Sequence, residues 1–270
     1  MAAPKILRGL YRPSSSSHKG QNGLALIIAG GKKYHGSAVL SVLAATRFCD
    51  LVYFYSPSAK VEFLVRKATP CVICISKKEL AAHIRKADAI LIGPGMEVDA
   101  YTRKLVHTVI SSGKKCVLDA TGIRCAKLNE LHRDCVLTPH VREFEAAFGL
   151  KANEYNVRAC VQKYGCNILL KGKMDLVAWA GKMGGRSTKL RVRAVKIYGG
   201  NAGLTKGGTG DTLAGLLCAL LCKNEVPVSM CAASFVNKKA GEALARKFGM
   251  NYSALDVANE VSPALFKVNK

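Results

Sequence analysis

The chain has 270 residues, of which 49% are hydrophobic, and its 41 Lys and Arg against 18 Asp and Glu give a net charge of +23. This length is sufficient for one α/β domain with a large core. No apolar run is long enough to span a bilayer, and residues 1–20 lack the apolar core of a signal peptide, so we expect a cytoplasmic protein with no membrane partner.

Apolar runs alternate with helical patterns through the first half of the chain. Residues 1–20 form an N-terminal extension that we expect to be partly flexible, because it includes a run of four serines. The near-continuous apolar runs that follow are typical of strands buried on both faces of a parallel sheet. The predicted strands are 23–29, 51–55, 71–75, 89–92 and 115–119. One predicted helix begins near Ser37, and two more cover 78–86 and 99–112. This alternation predicts a parallel sheet with right-handed crossovers and helices on both faces.

The pattern of the second half of the chain predicts that one edge of the sheet is antiparallel. Residues 167–171 and 176–179, separated by a glycine-containing turn, have the pattern of a β-hairpin, and 190–198 adds a further strand. Three helices over 212–222, 228–247 and 254–266 complete the chain. No linker or repeat interrupts it, so we expect one domain over 21–270 with an antiparallel edge on a mostly parallel sheet.

Several unusual residues directly follow predicted strands. They are Gly30-Gly31, Gly93-Pro94-Gly95, Asp119 and Thr138-Pro139-His140. Each of these segments alone is consistent with an ordinary turn. Ligands of such sheets bind beyond the carboxyl ends of the strands, so the shared position of these residues predicts one site.

The most informative segment is glycine-rich and runs from Gly199 to Gly215. Consecutive glycines reduce stability unless the backbone must adopt positive φ or approach a ligand closely. Here they precede the apolar run 213–221, which has helical character. The start of a helix has unpaired N–H groups and a positive dipole, so this segment predicts an anion site. Thr209 and Asp211 are candidate N-caps of the helix, and Lys206 would add a cation beside the anion.

Asp211 is the distinctive residue of this segment. No Gly-Lys-Ser/Thr follows, as a P-loop requires, and the dinucleotide fingerprint would come after the first strand. A bound phosphate repels a carboxylate placed among phosphate-directed amides. We therefore predict that Asp211 takes a proton from a hydroxyl as that hydroxyl attacks phosphorus. The alternative is a flexible turn with an ordinary capping aspartate.

The glycine-rich segment resembles a motif of a known family. Gly208-Thr209-Gly210-Asp211 before a helix resembles the anion hole and catalytic base of the ribokinase-like superfamily. The longer run from Gly200 to Gly215 resembles the nucleotide-dependent NAD(P)H-hydrate dehydratases, a metabolite-repair branch of that superfamily. Other segments resemble the same family in the same order: Tyr34-x-Gly36-Ser37-Ala38, Gly93-Pro94-Gly95, Val117-Leu118-Asp119-Ala120, Thr138-Pro139-His140-x-x-Glu143-Phe144 and Leu170-Lys171-Gly172.

The resemblance implies a three-layer ribokinase-like α/β fold and a repair reaction. ADP, or ATP in some members, phosphorylates the ring hydroxyl of hydrated NADH or NADPH, and phosphate then leaves to restore the nicotinamide ring, so that ADP yields AMP. Mg²⁺ would accompany the nucleotide, bound through its phosphates and one or two carboxylates of the protein. Because related proteins are often homo-oligomers, the resemblance also makes a homo-oligomer an expectation.

The same resemblance implies roles for individual residues. Asp211 would be the catalytic base. The implied substrate-binding residues are Ser37, Gly95, Asp119, His140 and Asn201. The implied nucleotide-binding residues are Lys171, Gly172, Lys173, Met174, Asp175, Lys206, Gly207, Gly208, Thr209 and Gly210. Plainer interpretations stay open: Ser37 or Asp119 as helix caps, His140 as a hydrogen-bonded surface residue, and Asp175 as part of the hairpin turn.

Several residues, Thr121 and Val141 among them, depart from the family pattern. Glu97 and Arg142 stand where glycine is usual, and Ala202 replaces a proline. A kinase that acts on a vitamin-precursor alcohol therefore stays as an alternative, and a basic nucleic-acid-binding protein as a second. Nucleic-acid binding is the alternative that we favour least, because aromatic residues make up only 7% of the chain and the basic residues are spread along it. The basic cluster 182–196 has the pattern of a solvated strand face.

Eleven cysteines are scattered without regular spacing. Cys71 and Cys74 form a C-x-x-C pair, but in a strand they would face different ways. No second pair exists, so we expect no zinc site, and we assign no residue as a metal ligand. We interpret most of the cysteines as small buried hydrophobes in a reducing compartment.

Overall fold

Residues 5–182 and 190–268 are described by a computed structural model. Within them, one mixed sheet of nine strands lies between two layers of helices. The strands are β1 (Leu24–Ile28), β2 (Leu51–Tyr55), β3 (Ile73–Cys74), β4 (Ala89–Ile92), β5 (Lys115–Leu118), β6 (Cys135–Leu137), β7 (Asn167–Leu170), β8 (Asp175–Lys182) and β9 (Leu190–Ile197). The helices are α1 (His35–Ala45), α2 (Ala59–Ala68), α3 (Leu80–Lys86), α4 (Ala100–Ser111), α5 (Thr121–Cys125), α6 (Val141–Phe148), α7 (Glu154–Tyr164), α8 (Thr209–Leu221), α9 (Val226–Phe248) and α10 (Ala254–Val268).

The strand order is β3-β2-β1-β4-β5-β6-β7-β8-β9. Every pair from β3 to β7 is parallel, whereas β7, β8 and β9 pair antiparallel. The predicted α/β architecture, with a parallel sheet and an antiparallel edge, is confirmed. The carboxyl ends of β1, β4, β5, β6 and β7 therefore meet at one edge of the sheet.

Both faces of the sheet are buried. Ala25 and Ile27 of β1 pack against a layer built from α1, α2, α8, α9 and α10. Leu26 and Ile28, which point the other way, pack against α3 to α7. This double burial explains why the strands have near-continuous apolar sequences instead of alternating ones.

Some predicted boundaries were wrong. The expected strand 71–75 is only two residues long, Ile73–Cys74, because it lies at the edge and pairs with β2 alone. Helix α2 was not predicted, although Val61 and Val65 give it a buried face. Helix α8 begins at Thr209, three residues before the predicted start, since Thr209 and Gly210 already have helical backbone.

The described part of the N-terminal extension packs on the domain. Residues Lys5–Gly9 form a 3-10 helix whose Leu7 is buried in the core. The amide of Tyr11 donates a 2.6 Å hydrogen bond to Asn224 Oδ1. The division into an extension and a single catalytic domain stays a prediction.

Two further expectations concern surface properties. Residues 183–189 of the basic cluster lie outside the described residues. The flanking strands β8 and β9 pair along their full lengths. No helix in the described ranges is both long and apolar enough to cross a membrane.

Candidate active site

The residues that follow the parallel strands form a continuous cleft edge. The amide of Gly30, after β1, donates to the carbonyl oxygen of Pro94, after β4, at 2.7 Å. The amide of Lys171, after β7, donates to the carbonyl oxygen of Pro139, after β6, at 2.8 Å. The first turn of α8 lies over this edge, because a Cβ built on Gly210 would lie 3.3 Å from the Lys171 Nζ.

An ion pair lies at the centre of the cleft. Lys171 Nζ is 2.8 Å from Asp119 Oδ1, and the two side chains are only 18% and 3% exposed. Thr138 Oγ1 donates to the same carboxylate oxygen at 2.7 Å. Burial opposes the charge of Lys171, but Asp119, Glu143 and Asp211 outweigh it and raise the lysine pKa above its ordinary value. Lys171 is therefore a fixed cation at the bottom of the cleft.

Asp211 is the third residue of α8 and faces this ion pair. Ser37 interacts with its carboxylate and lowers the carboxylate pKa, and its carbonyl oxygen accepts a hydrogen bond from Ser41 Oγ at 3.1 Å. Both serines belong to α1, which approaches α8 closely because Gly215 has no side chain: a Cβ there would lie 2.1 Å from the Ser41 carbonyl oxygen. The packing of the two helices thus determines where the Asp211 carboxylate points.

The environment of Asp211 raises its pKa from 3.8 to about 6. Burial is the largest cause and the Asp119 charge the next, while Ser37 and Lys171 act in the opposite direction. A carboxylate with a pKa just below neutrality is ionised at pH 7 and binds a proton more readily than an ordinary aspartate. These are the properties of a general base.

The glycine segment presents free amides beside Asp211. Gly208 is the N-cap of α8 with φ +94°, a conformation that glycine adopts without strain. Within the described chain, no hydrogen bond uses the amides of Gly207, Gly208 or Gly210. Together with the positive end of the α8 dipole, these amides form a site suited to an anion.

The capping prediction was wrong. Thr209 and Asp211 lie inside the first turn of α8, after the N-cap, and neither makes a capping bond. The Thr209 hydroxyl instead donates to the carbonyl oxygens of Leu204 and Lys206, at 2.6 and 2.9 Å. It thereby fixes the loop that presents the amides.

The side chains of Lys206 and Asn201 form hydrogen bonds to other residues of the protein. The Lys206 ammonium donates to the carbonyl oxygens of Met250 and Tyr252, both at 2.6 Å, and its contact with a bound anion stays a prediction. The Asn201 side chain bonds Gly241, Gly203 and Tyr252, which uses both its oxygen and its nitrogen. Both side chains hold the glycine segment in shape.

Buried contacts of Asp175 stabilise the turn between β7 and β8. The Asp175 carboxylate accepts hydrogen bonds from the Gly172 amide and from Ser234, and it pairs with the buried Lys238 at 3.2 Å. Asp175 is therefore a structural residue of the turn, as its plainer interpretation had it. Residues 171–174 border a cavity of about 350 Å³ that extends toward Val141 and Glu154.

His140 and Glu143 form a capping box at the start of α6. His140 Nδ1 accepts from the Glu143 amide at 3.2 Å, and Glu143 Oε2 accepts from the His140 amide at 2.9 Å. Our residue assignments did not include Glu143, although the spacing of a capping box was visible in the sequence. Glu143 interacts electrostatically with both Lys171 and Asp211.

Two backbone positions shape the cleft. Gly95 has φ +67°, and a Cβ there would lie 2.3 Å from the Tyr34 carbonyl oxygen, so this glycine lets the β4 loop pack on the start of α1. Ala120, directly after Asp119, is the one non-glycine residue with positive φ, +48°, in the described ranges. Strain of this kind is concentrated at functional sites.

Ala120→Gly should relieve that strain. We expect the free energy of unfolding to rise by about 1 kcal/mol, measured by urea titration, because glycine adopts this conformation without a Cβ clash. Ala146→Gly, at an exposed position of α6, is the matched control and should lose about 1 kcal/mol. Equal losses in both variants would contradict a strained Ala120.

Comparison with known proteins agrees with this geometry. The model of the NAD(P)H-hydrate dehydratase family matches residues 25–263. The chain belongs to this family. It is 32% identical over 278 residues to the ADP-dependent (S)-NAD(P)H-hydrate dehydratase of Nitrosopumilus maritimus, with 95% of this chain and 93% of that protein covered.

A second relative is longer than this chain. The bifunctional NAD(P)H-hydrate repair enzyme of Methanocaldococcus jannaschii is 33% identical over 272 residues, which cover 97% of this chain and 52% of that protein. This dehydratase-family chain thus spans about half the length of that relative.

A solved structure has the same fold. The ADP/ATP-dependent NAD(P)H-hydrate dehydratase of Bacillus subtilis, co-crystallised with ATP and Mg²⁺, superposes with a TM-score of 0.83 at 24% identity. The alignment covers 97% of this chain and 96% of that one. The ribokinase-like fold implied by the resemblance is confirmed.

Proposed function

We propose that the protein dehydrates hydrated NADH and NADPH with ADP as phosphoryl donor. The observation that carries this proposal is the position of Asp211. Its carboxylate, with a pKa of about 6, lies beside the free amides of Gly207, Gly208 and Gly210 and faces the Lys171–Asp119 pair. Family membership and the relative from Nitrosopumilus support the same reaction.

The chemistry divides into two steps. Asp211 takes the proton of the ring hydroxyl as its oxygen attacks the terminal phosphorus of the nucleotide, and the bond to the bridging oxygen breaks. With ADP as donor, AMP leaves. The carbon–oxygen bond of the phosphorylated ring then breaks, phosphate leaves, and loss of a ring proton restores the double bond.

The chain's contribution to the first step is electrostatic. The amides of the glycine segment and the positive end of α8 hold the negative charge of the transferred group. Lys171 adds a cation whose position is fixed by Asp119 and Thr138. Because hydrogen bonds within the protein already fix this cation, it needs little reorganisation during the reaction.

The cleft also fits the Mg²⁺ that we expect with the nucleotide. Asp119, Glu143 and Asp211 place three carboxylates around one lysine, and neither Asp119 Oδ2 nor Glu143 Oε1 takes part in a described hydrogen bond. Asp119 and Glu143 would hold the ion directly or through water. When bound, Mg²⁺ would neutralise charge on the phosphates.

The cysteines support the cytoplasm as the cellular setting. All eleven are free, and eight of them are buried, which suits a reducing compartment such as the cytoplasm. A homo-oligomer stays a prediction.

Incubation with hydrated NADH and either ADP or ATP tests the proposal. We expect the absorbance of NADH to return and phosphate to appear in equal amounts, with AMP formed from ADP. The pH profile of kcat/KM should lose activity on the acid side with a midpoint near 6, as Asp211 becomes protonated.

Other outcomes separate the alternatives. A stable phosphorylated product without free phosphate would indicate a kinase. Salt-sensitive binding to RNA or DNA, with no turnover and no nucleotide-dependent shift in Tm, would indicate a nucleic-acid-binding protein.

A further inference from the structure

A second cluster of reactive side chains lies at the opposite edge of the sheet. Cys116 is the second residue of β5, and Cys135 is the first residue of β6. The two residues are direct partners in the parallel pairing, and both side chains are buried on the face covered by α3 to α7. Cys116 precedes Asp119 by three residues, about 10 Å along an extended strand, so this cluster is separate from the proposed active site.

His132 completes the cluster. A tight turn, closed by the bond from the Cys135 amide to the His132 carbonyl oxygen at 2.9 Å, brings the imidazole next to β6. His132 and Cys135 are separated by two residues, the spacing by which zinc ligands commonly occur in one short loop. The three candidate ligand atoms all lie within 4.8 Å of one another.

The sulfur positions suit a tetrahedral ion. The Cys116 and Cys135 Sγ atoms are 3.5 Å apart. Two thiolates at the usual Zn–S distance of about 2.3 Å are separated by about 3.8 Å in a tetrahedral site. The sulfurs need to move by only a few tenths of an ångström, and the half-buried imidazole makes the larger adjustment.

The tautomer of His132 is also suitable. His132 Nε2 is 3.1 Å from the carbonyl oxygen of Ile110, which can only accept, so Nε2 carries the proton. Metal-binding histidines are commonly oriented by such a bond from the second ring nitrogen. The lone pair of Nδ1 accepts from the Asp134 amide at 3.2 Å, and coordination would replace only this long bond.

We propose that Cys116, His132 and Cys135 bind one Zn²⁺ ion. Two thiolates and an imidazole are the ligands that zinc prefers, and a water molecule takes the fourth position on the partly exposed side of His132. Binding releases the two thiol protons and joins β5, β6 and, through Ile110, helix α4. The site lies at the amino ends of the strands, away from the proposed active site. It replaces our expectation from cysteine spacing that the chain has no zinc site.

Metal content of the full chain, purified without an affinity tag or chelator, tests this site. We expect one zinc per chain by elemental analysis, and thiolate-to-cobalt charge-transfer absorption after exchange with Co²⁺. Cys135→Ala should reduce bound zinc more than tenfold. His132→Gln should do the same, since glutamine can still donate to the Ile110 carbonyl but is not a zinc ligand of this kind.

Cys231→Ala is the matched control. Cys231 is a buried cysteine of α9, outside the cluster, and its variant should bind one zinc. Added Zn²⁺ should raise the Tm of the wild type and of this control, but not of Cys135→Ala. Three results would overturn the proposal: no stoichiometric zinc or cobalt in the wild type, full zinc in His132→Gln, or a Cys116–Cys135 disulfide in place of the metal.

Discussion

Asp211→Asn should lower kcat by about 10³-fold and leave the KM for nucleotide nearly unchanged. Asparagine has the same shape but cannot take the hydroxyl proton. A loss of activity with little change in nucleotide binding, measured by kinetics and calorimetry, is therefore the expected signature. A variant that restores hydrated NADH at the wild-type rate would contradict the role of Asp211 as the base.

The same variant should be more stable than the wild type at pH 8. The folded pKa of Asp211 is about 6, above its ordinary value of 3.8, so the folded state binds the extra proton between these values. Stability therefore falls as the pH rises from about 4 to about 6. Removing the buried charge should recover about 2 kcal/mol at pH 8 and nothing at pH 3.5, as measured by urea unfolding at both pH values.

Asp256→Asn is the matched control for both effects. Asp256 is also the third residue of its helix, α10, but it is only partly buried, and hydrogen bonds from Ser253 lower its pKa. A group with a lowered pKa stabilises the folded state at high pH, so this variant should lose a little stability at pH 8 while its activity stays unchanged. A gain in both variants would show that the stability effect is not specific to the cleft.

Lys171→Met should reduce kcat/KM by about 10²–10³-fold, because it removes a cation fixed toward the transferred phosphoryl group. It also leaves Asp119 buried without its partner, so the free energy of unfolding should fall by about 3 kcal/mol. The acid limb of the pH profile should move above 6, since Lys171 holds down the pKa of Asp211. A limb that stays at its wild-type position would mean that the two groups are not coupled.

Lys127→Met separates these effects from the loss of an ordinary ion pair. Lys127 pairs with Glu130 at 3.2 Å, but its side chain is 70% exposed. Such pairs contribute little, so stability should change by less than about 0.5 kcal/mol and activity not at all. Equal losses in the two lysine variants would contradict a special role for Lys171.

The grouping of Asp211 with the strand-end residues was the part of the proposed site that the sequence predicted best. A run of glycines directly before an apolar helix has few other physical uses, and an aspartate inside it is costly beside an anion. The strand-end residues Asp119 and Lys171 were also predictable, because parallel strands place their carboxyl ends at one edge. Their order along the chain then identified the family before any contact was known.

Roles that depend on side-chain direction were not predictable. Lys206 lies in the right segment, yet its ammonium is bound by two carbonyl groups of residues more than forty positions later in the chain. The side chains of Asp175 and Asn201 likewise form hydrogen bonds with residues of α9. Local pattern gives the position of a residue on its element, but distant packing decides which partner its polar atoms meet.

The cluster of Cys116, His132 and Cys135 shows the same limit. Cysteine spacing alone did not reveal it, because Cys116 is on the strand before the loop that carries His132 and Cys135.

The sequence by itself determined the α/β layering, the antiparallel edge and the glycine-rich start of α8, since these follow from local periodicity and backbone chemistry. Only the tertiary structure decided the pKa of Asp211, the pairing of Lys171 with Asp119 and the meeting of Cys116 with His132. Each of these depends on burial and on charges or ligands from separate strands, and those distances exist only once the sheet has formed.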